Sequence, residues 1–447
     1  MAKRDGFASS FGVLVAMAGS AVGLGNLWRF PYLLGTNGGA AFIIIYLAFV
    51  LLLALPIMYS EFIIGRRSQA NVFGAFNVLA PGTGWGKAGF IFVLAAITII
   101  SFYSVVGGWT IDYFIKAVGL KFDSADTEVL NSMFVKSVTS NFSPVFYMLV
   151  FIGLTAIVLL SGIKEGIEKY AKVMMPLLFI IVIFIAVRSV TLPGAGAGLE
   201  FLFKPDFSKV TAGTLLAALG QAFFSLSVGS GSIMTYASYV AKKESIVGIS
   251  VKTAVADTLF AIIAGVAIMP AVFAFGISPS EGPGLVFITL PNIFAQLPFG
   301  YVLAIIFFFA LFIAAITSSI SLLEVIVAYL NEEFGISRKL SILLSSLLVV
   351  VLGTLCALSQ GALSHINLFG NNIFDCFDKF SANILLPLGG LLCVIFVGWK
   401  MAKADCLDEI TSGGHHHYPS FLLNFIYLSI KYLAPVVVAV VLIQGLI

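Results

Sequence analysis

Charge is scarce in this 447-residue chain: Asp, Glu, Lys and Arg make up 10% of it, against 60% hydrophobic residues. An ordinary soluble domain is charged at about one residue in four, so the shortage excludes a water-soluble globule. The 24 basic and 21 acidic residues nearly cancel, to +3, and no long basic tract occurs; nucleic acid is thereby excluded as a partner. Cysteine is rare too. Cys356, Cys376, Cys393 and Cys406 lack zinc-type spacing and read as packing residues. His415, His416 and His417 stand side by side in "SGGHHHYPS", where neighbours cannot share one helix face and no carboxylate completes a ligand set. They read as solvated loop, and His365 as structural. A cleavable leader is not expected: Lys3 and Arg4 precede the first apolar run, but that run is too long and has no small-residue cleavage site.

What the chain has instead is long apolar runs. With about 20 residues as the length that crosses a bilayer, eleven candidate spans fall near 12–36, 40–65, 88–118, 144–161, 168–189, 214–238, 247–276, 300–331, 340–358, 380–400 and 424–446. Lysines and arginines of the connections, among them Arg66, Arg67, Lys242, Lys243, Lys400 and Lys403, then share one side, which the positive-inside rule makes cytoplasmic. The N-terminus is expected inside and the C-terminus outside; short termini and eleven spans suit a bacterial inner membrane. Residues 121–143 read as an external loop. Residues 278–299 ("SPSEGPGLVFITLPNIFAQLPF") are external and half apolar, either a re-entrant hairpin over a vestibule or a plain surface loop.

Two runs carry polar islands at mid-depth. "GSAVGLGNLWRFPY" (19–32) holds three glycines, Asn26 and Arg29, and "LGQAFFSLSVGSGSIMTYASY" (219–239) holds Gln221, Ser225, Ser227, Gly229, Ser230 and Gly231. Glycines alone fit close helix packing, but packing needs none of Asn26, Arg29 and Gln221. Inverted-repeat transporters build their binding site from interrupted spans of this kind, with spans 1–5 related to spans 6–10. Unwinding frees backbone groups that are costly in lipid if left unpaired. Freed carbonyls suit a cation such as sodium, and amides opening the outer half-helix suit a carboxylate. In span 8, "AAITSSISLLE" (314–324) sets Thr317 and Ser318 one turn after Ala314. A carbonyl and two hydroxyls can converge there on a hard cation, or the hydroxyls cap their own helix. Asp257, in "AVADTLFAIIAG", is an intramembrane acid and functional by default: either its partner is sodium, or it is protonated and bonded to a neighbouring helix.

These motifs together resemble the neurotransmitter:sodium symporter family over nearly the whole chain. "AVGLGNLWRFPYLLGTNGGAAF" (21–42) is similar to the family signature, and "TYASYV" (235–240) and "ITSSIS" (316–321) follow in the expected order. The resemblance implies an all-α membrane protein of LeuT-type fold in a single domain. Its two inverted five-helix repeats would span 8–190 and 211–404, with broken helices 1 and 6, and 421–447 would add a terminal span. It implies sodium-driven symport of an amino acid by alternating access, and no enzyme activity. Carried over, a first sodium site uses the Ala21 carbonyl, Asn26, Ser225 and Asp257, and a second uses carbonyls of Gly19, Val22 and Ala314 with hydroxyls of Thr317 and Ser318. The substrate carboxylate meets the amides of Leu24 and Gly25 and the Tyr103 phenol. The amine faces carbonyls of Ala21, Phe224 and Ser225 and the Ser227 hydroxyl, with Ser20, Gly23 and Ser318 completing the pocket. Arg29 and Asp378, assisted by Gln221, resemble the outer gate, Phe224 the lid, and Arg4 with Glu332 the inner closure, where the family usually has aspartate at the Glu332 position.

Departures from the pattern sharpen the expectation. Gly23 stands where monoamine carriers hold an aspartate, so a carboxylated substrate is expected. Asp257 supplies permanently the charge that chloride supplies in chloride-requiring members, and Ala261 replaces a hydroxyl expected of a chloride ligand; chloride independence follows. Ser230 stands where a bulky side chain often limits the pocket, with Ile99 and Leu322 as further walls, which favours a large hydrophobic or aromatic amino acid. The alternatives are a carrier of another small carboxylated or amine solute, or an ion channel. Channel filters repeat around a symmetry axis, and no such repeat occurs here. "VGSGS" (228–232) resembles a serine nucleophile turn, but no histidine in a neighbouring span serves as base.

Overall fold

A computed structural model of the chain describes residues 6–122, 126–276 and 285–446. Among the described residues there is no strand, only an isolated bridge between Leu368 and Asn371. Nine described helices are long and apolar enough to cross a membrane: Ala40–Ser68, Gly84–Val118, Ser143–Leu160, Ile163–Val190, Ile246–Ala274, Gly300–Glu333, Arg338–Leu358, Ile373–Lys400 and Ser420–Val440. They are spans 2–5 and 7–11. Span 1 is a bent pair, Ser10–Ala21 with Gly25–Thr36, turned by 43°. Span 6 consists of Ala212–Ser225 and Ser232–Ala237, each too short to cross alone, on either side of the irregular stretch 226–231. All eleven expected runs are therefore helical, and the two with polar islands are the broken ones.

Helix starts explain the boundaries. The first turn of a helix leaves amides without intrahelical partners, and short polar side chains supply them. Ser9 accepts from the Gly12 amide at 3.0 Å, Ser245 from Gly248 at 2.8 Å, and Thr211 forms a reciprocal cap with Thr214. Ser9 also donates to Glu168 of span 5 at 2.8 Å, and Glu168 takes the Ala8 amide at 2.6 Å and Lys172 at 2.6 Å. The beginning of span 1 is thus pinned to span 5 by a buried carboxylate.

Burial separates a centre from a periphery. In their most apolar stretches, spans 3 and 8 have 78% and 72% of residues buried within the protein, whereas spans 5 and 11 each have 33%. Spans 3 and 8 pack on one another, with both broken spans beside them, while the outer spans present long apolar side chains such as Ile180 and Phe184 outward. A hydrophobic surface of this extent is at home only in lipid.

Two connections differ from a simple loop reading. Residues 121–143 contain a helix, Thr127–Thr139, capped by Asp126, which accepts the Glu128 amide at 2.8 Å. In the second, Leu285–Thr289 and Leu290–Ala295 are helical and bury Val286, Phe287 and Ile293. A plain surface loop is therefore excluded for that part; residues 278–284 lie outside the described residues.

Candidate functional site

The break in span 1 is closed by its own asparagine. Asn26 Oδ1 accepts the Gly23 amide at 3.1 Å, and its Nδ2 donates to Ser225 Oγ at 3.0 Å and Asp257 Oδ1 at 2.8 Å. Ser225 Oγ donates to Asp257 Oδ2 at 2.7 Å, and the Tyr46 hydroxyl reaches the same oxygen at 3.1 Å. Asn26, Ser225 and Asp257 are all fully buried. The structure thus joins four spans at one carboxylate that is held by donors on both oxygens, as a buried acid requires.

A second oxygen cluster lies where span 8 meets span 1. Ser318 Oγ approaches the Gly19 and Ala314 carbonyls at 3.4 Å each, and Thr317 Oγ1 donates to Ile313 at 3.1 Å and Ala314 at 3.2 Å. The Thr317 hydroxyl is here turned to its own helix. Val22, the fifth expected member, is buried at the break with its amide on the Ala18 carbonyl at 2.6 Å. The second cluster offers oxygen only, the donor set of a hard cation; at the first, the Asn26 amide nitrogen faces the Ser225 and Asp257 oxygens. Among the described residues no group of three or more His, Cys, Asp or Glu gathers for a transition metal.

Between the two breaks lies a narrow cavity. Span 1 lines it with Ser20, Ala21, Gly23 and Gly25, span 3 with Ile99 and Tyr103, and span 6 with Phe224, Ser227 and Ser230; Ser318 and Leu322 of span 8 complete it with Leu386 of span 10. Leu24 and Ser225 are off its wall: the Leu24 amide donates to the Tyr103 hydroxyl at 3.2 Å, and Ser225 faces Asp257. Ser227 Oγ donates to the Ser20 carbonyl at 2.7 Å, tying the breaks together, and Ser20 Oγ donates to Ser321 at 2.8 Å. A Cβ at Gly23 would fall on the Ser318 hydroxyl and lie 3.0 Å from the Tyr103 hydroxyl. Any side chain there fills the cavity.

Gln221 Nε2 donates to the Gly25 carbonyl at 2.8 Å, bridging the outer halves of spans 1 and 6. Arg29 lies over the Phe224 ring at 4.8 Å, with Nε and Nη1 buried and lacking hydrogen-bond partners. It forms no direct ion pair with Asp378, whose charge nevertheless lies near enough to act on the guanidinium. Arg4 lies outside the described residues, and Glu332 accepts the Asn71 amide at 2.7 Å. The histidine tract is in a loop, His416 Nε2 lying 3.0 Å from the Lys243 carbonyl.

Three participants escaped the reading of the sequence. Glu61 of span 2 accepts the Gly229 amide at 2.5 Å and the Met234 amide at 3.3 Å, holding the break of span 6. It is an intramembrane acid like Asp257, and the same rule would have found it. Tyr46 and Leu386 lie in plain apolar runs and carry no such signal.

Comparison with known proteins agrees with this architecture. The profile of the sodium:neurotransmitter symporter family matches residues 4–131 and 126–447. The sodium-dependent transporter YhdH of Bacillus subtilis (strain 168), whose function is uncharacterised, is 39% identical over 435 residues, covering 97% of this chain and 96% of its own. A similarly uncharacterised sodium-dependent transporter of Haemophilus influenzae is 37% identical over 461 residues, with 99% and 98% covered. The crystal structure of MhsT in complex with L-phenylalanine superposes with a TM-score of 0.94 at 42% identity, covering 99% of this chain and 100% of that one. Two broken helices facing one cavity, in a LeuT-type helical fold, therefore belong to a sodium-dependent transporter, and the chain is a member of the sodium:neurotransmitter symporter family.

Proposed function

We propose that this transporter carries an amino acid, large and hydrophobic or aromatic, into the cell together with sodium and without chloride. The observation that carries the proposal is the cavity between the breaks, polar at one end and apolar at the other. The carboxylate would take the amides of Leu24 and Gly25 and the Tyr103 phenol, and the amine the carbonyls of Ala21, Phe224 and Ser225. Ile99, Leu322 and Leu386 leave an apolar end for the side chain, and Ser230 adds no bulk. MhsT, of the same fold, was crystallised with L-phenylalanine.

Two sodium ions fit the two oxygen clusters. At the first, the Asn26 amide nitrogen now donates to the Ser225 and Asp257 oxygens that a cation would gather; ion binding turns that amide so that its oxygen faces the ion. At the second, Thr317 and Ser318 would turn from their carbonyls to the ion. Asp257 balances the added charge in place of chloride. The N-terminus would be cytoplasmic in a bacterial inner membrane, with repeats at 8–190 and 211–404 exchanging access by rocking. A tenfold sodium gradient is worth about 1.4 kcal/mol per ion and 100 mV of membrane potential about 2.3. Two ions thus supply up to about 7 kcal/mol, enough for roughly a 10⁵-fold gradient of a neutral amino acid.

The test is uptake of labelled amino acids into proteoliposomes with and without an inward sodium gradient, in chloride and in gluconate. Concentrative uptake of phenylalanine-like substrates, equal in both anions and abolished in Asn26→Ala, is expected. Unequal uptake in the two anions would sink chloride independence, and downhill or absent flux for every amino acid would sink the substrate class.

A further inference from the structure

The cytoplasmic ends of spans 10 and 11 hold a group of lysines that the transport site does not use. Trp399 Nε1 donates to the Lys431 carbonyl at 2.9 Å, which sets Lys431 at the depth where span 10 ends. Side chains on a helix lean toward its N-terminus, here toward the interface, and Lys431 Nζ lies 5.2 Å from the ring of Trp399, 5.7 Å from Tyr427 and 5.5 Å from Tyr432. Lys403 Nζ lies over the same Tyr427 ring at 5.2 Å and donates to Asn424 at 3.1 Å. Two ammonium groups therefore share one buried phenol, with Lys400 next to Trp399 in the chain.

Among the described residues neither Lys431 nor Lys403 pairs with an acid. The carboxylates of the adjoining helix Lys403–Ile410 are committed elsewhere: Asp405 to Arg67 at 2.6 Å, Asp408 to Lys242 at 2.6 Å and Glu409 to Arg66 at 2.8 Å. Like charges gathered at a membrane surface call for an anion from outside the chain. What lies beside them identifies it. An open groove runs along the outer face of span 11, lined by Phe425, Leu428, Tyr432, Leu433, Val436 and Val437 among others. From Phe425 to Val437 it extends about 18 Å, enough to cover the roughly 15 Å hydrocarbon depth of one leaflet. Tyr432 belongs to both the cage and the groove. Trp399 and Tyr432 are 62% and 50% exposed, aromatic rings turned to the interface.

We propose that this face binds one anionic phospholipid, its phosphate on Lys431 and Lys403 and an acyl chain in the groove of span 11. The leaflet is the cytoplasmic one under the orientation proposed above; the binding itself does not depend on that orientation or on the substrate.

Native mass spectrometry of the detergent-purified protein, titrated with phosphatidylglycerol or phosphatidylcholine, tests it. One phosphatidylglycerol is expected to be retained in preference to phosphatidylcholine, with retention falling as salt rises. Lys431→Gln and Lys403→Gln should each weaken it about fivefold, whereas Lys431→Arg and the remote Lys339→Gln leave it unchanged. Soluble glycerophosphate should not displace it, because the groove contributes. If Lys431→Gln proves unfolded by its thermal transition, Lys403→Gln and the salt series decide alone. Equal retention of both lipids, or undiminished retention in Lys403→Gln, would overturn the proposal.

Discussion

The two breaks in the helices are built on different principles. In span 1 the chain rejoins its helix within a few residues, and Asn26 closes the gap from inside the same segment by accepting the Gly23 amide. In span 6 the irregular stretch 226–231 is longer and is held from another span, by Glu61 on the amides of Gly229 and Met234. Gly229 and Gly231 both have φ of +81°, and a Cβ on Gly229 would collide with the Leu386 carbonyl, so only glycine fits there. The comparison assigns the breaks different duties. The first is locally determined and faces Asp257, which suits ion binding; the second takes its shape from its neighbours and brings Ser227 and Ser230 to the cavity wall, which suits recognition of the substrate.

The largest effect should come from the ion side. Asp257→Asn removes the charge that Asn26, Ser225 and Tyr46 surround, and loss of one member of a buried ionic network is worth about 3–5 kcal/mol. Sodium-dependent binding of labelled phenylalanine should fall by at least about a hundredfold; unchanged sodium dependence would detach the span 1 break from ion binding. Next comes Glu61→Gln, which keeps one acceptor oxygen for two amides and loses the charge. A cost of about 1.5–3 kcal/mol is expected, read as a lower thermal midpoint and weaker substrate binding, with the sodium half-saturation unmoved. Loss of both affinities in parallel would mean that the breaks are one unit. Thr317→Ala should do the reverse, raising the sodium half-saturation about tenfold, roughly 1.4 kcal/mol, while thermal stability in sodium-free buffer stays near that of the parent, because the hydroxyl there bonds only within its own helix.

Legibility in the sequence followed cost. Polar groups inside a span are expensive, so Asn26, Gln221 and Asp257 declared the breaks and the ion cluster, whereas ten residues of the cavity wall came only through the family resemblance: Ser20, Ala21, Gly23, Gly25, Ile99, Tyr103, Phe224, Ser227, Ser318 and Leu322. Ser230, placed there through its bulk alone, is on the wall as well. Leu386 was not legible, since a leucine in an apolar run looks the same facing lipid or ligand. For Arg29, charge complementarity points to Asp378, whose charge acts on the guanidinium, and the face of the Phe224 ring lies 4.8 Å from it as a second partner that sequence did not rank. Composition carries no information on which partner is nearer. The helix Thr127–Thr139 hid because its polar residues resemble a loop until the Asp126 cap is seen.

The smallest effect is the sharpest test of the comparison. Ser227 occupies the left-handed region at φ +53°, where a residue with a Cβ is strained by about 1 kcal/mol or more, and its hydroxyl donates across to the Ser20 carbonyl of span 1. Ser227→Ala keeps the strain and deletes the bond, so it should lower stability by about 1 kcal/mol and leave a buried carbonyl of span 1 short of a donor. Ser227→Gly deletes the same bond but relieves the strain, and the two changes nearly cancel. Thermal unfolding of the pair in detergent should therefore rank glycine above alanine, while both weaken phenylalanine binding alike. The opposite ranking would mean that the left-handed conformation at Ser227 carries no strain to relieve, and that the second break is not held against the preference of its own residues.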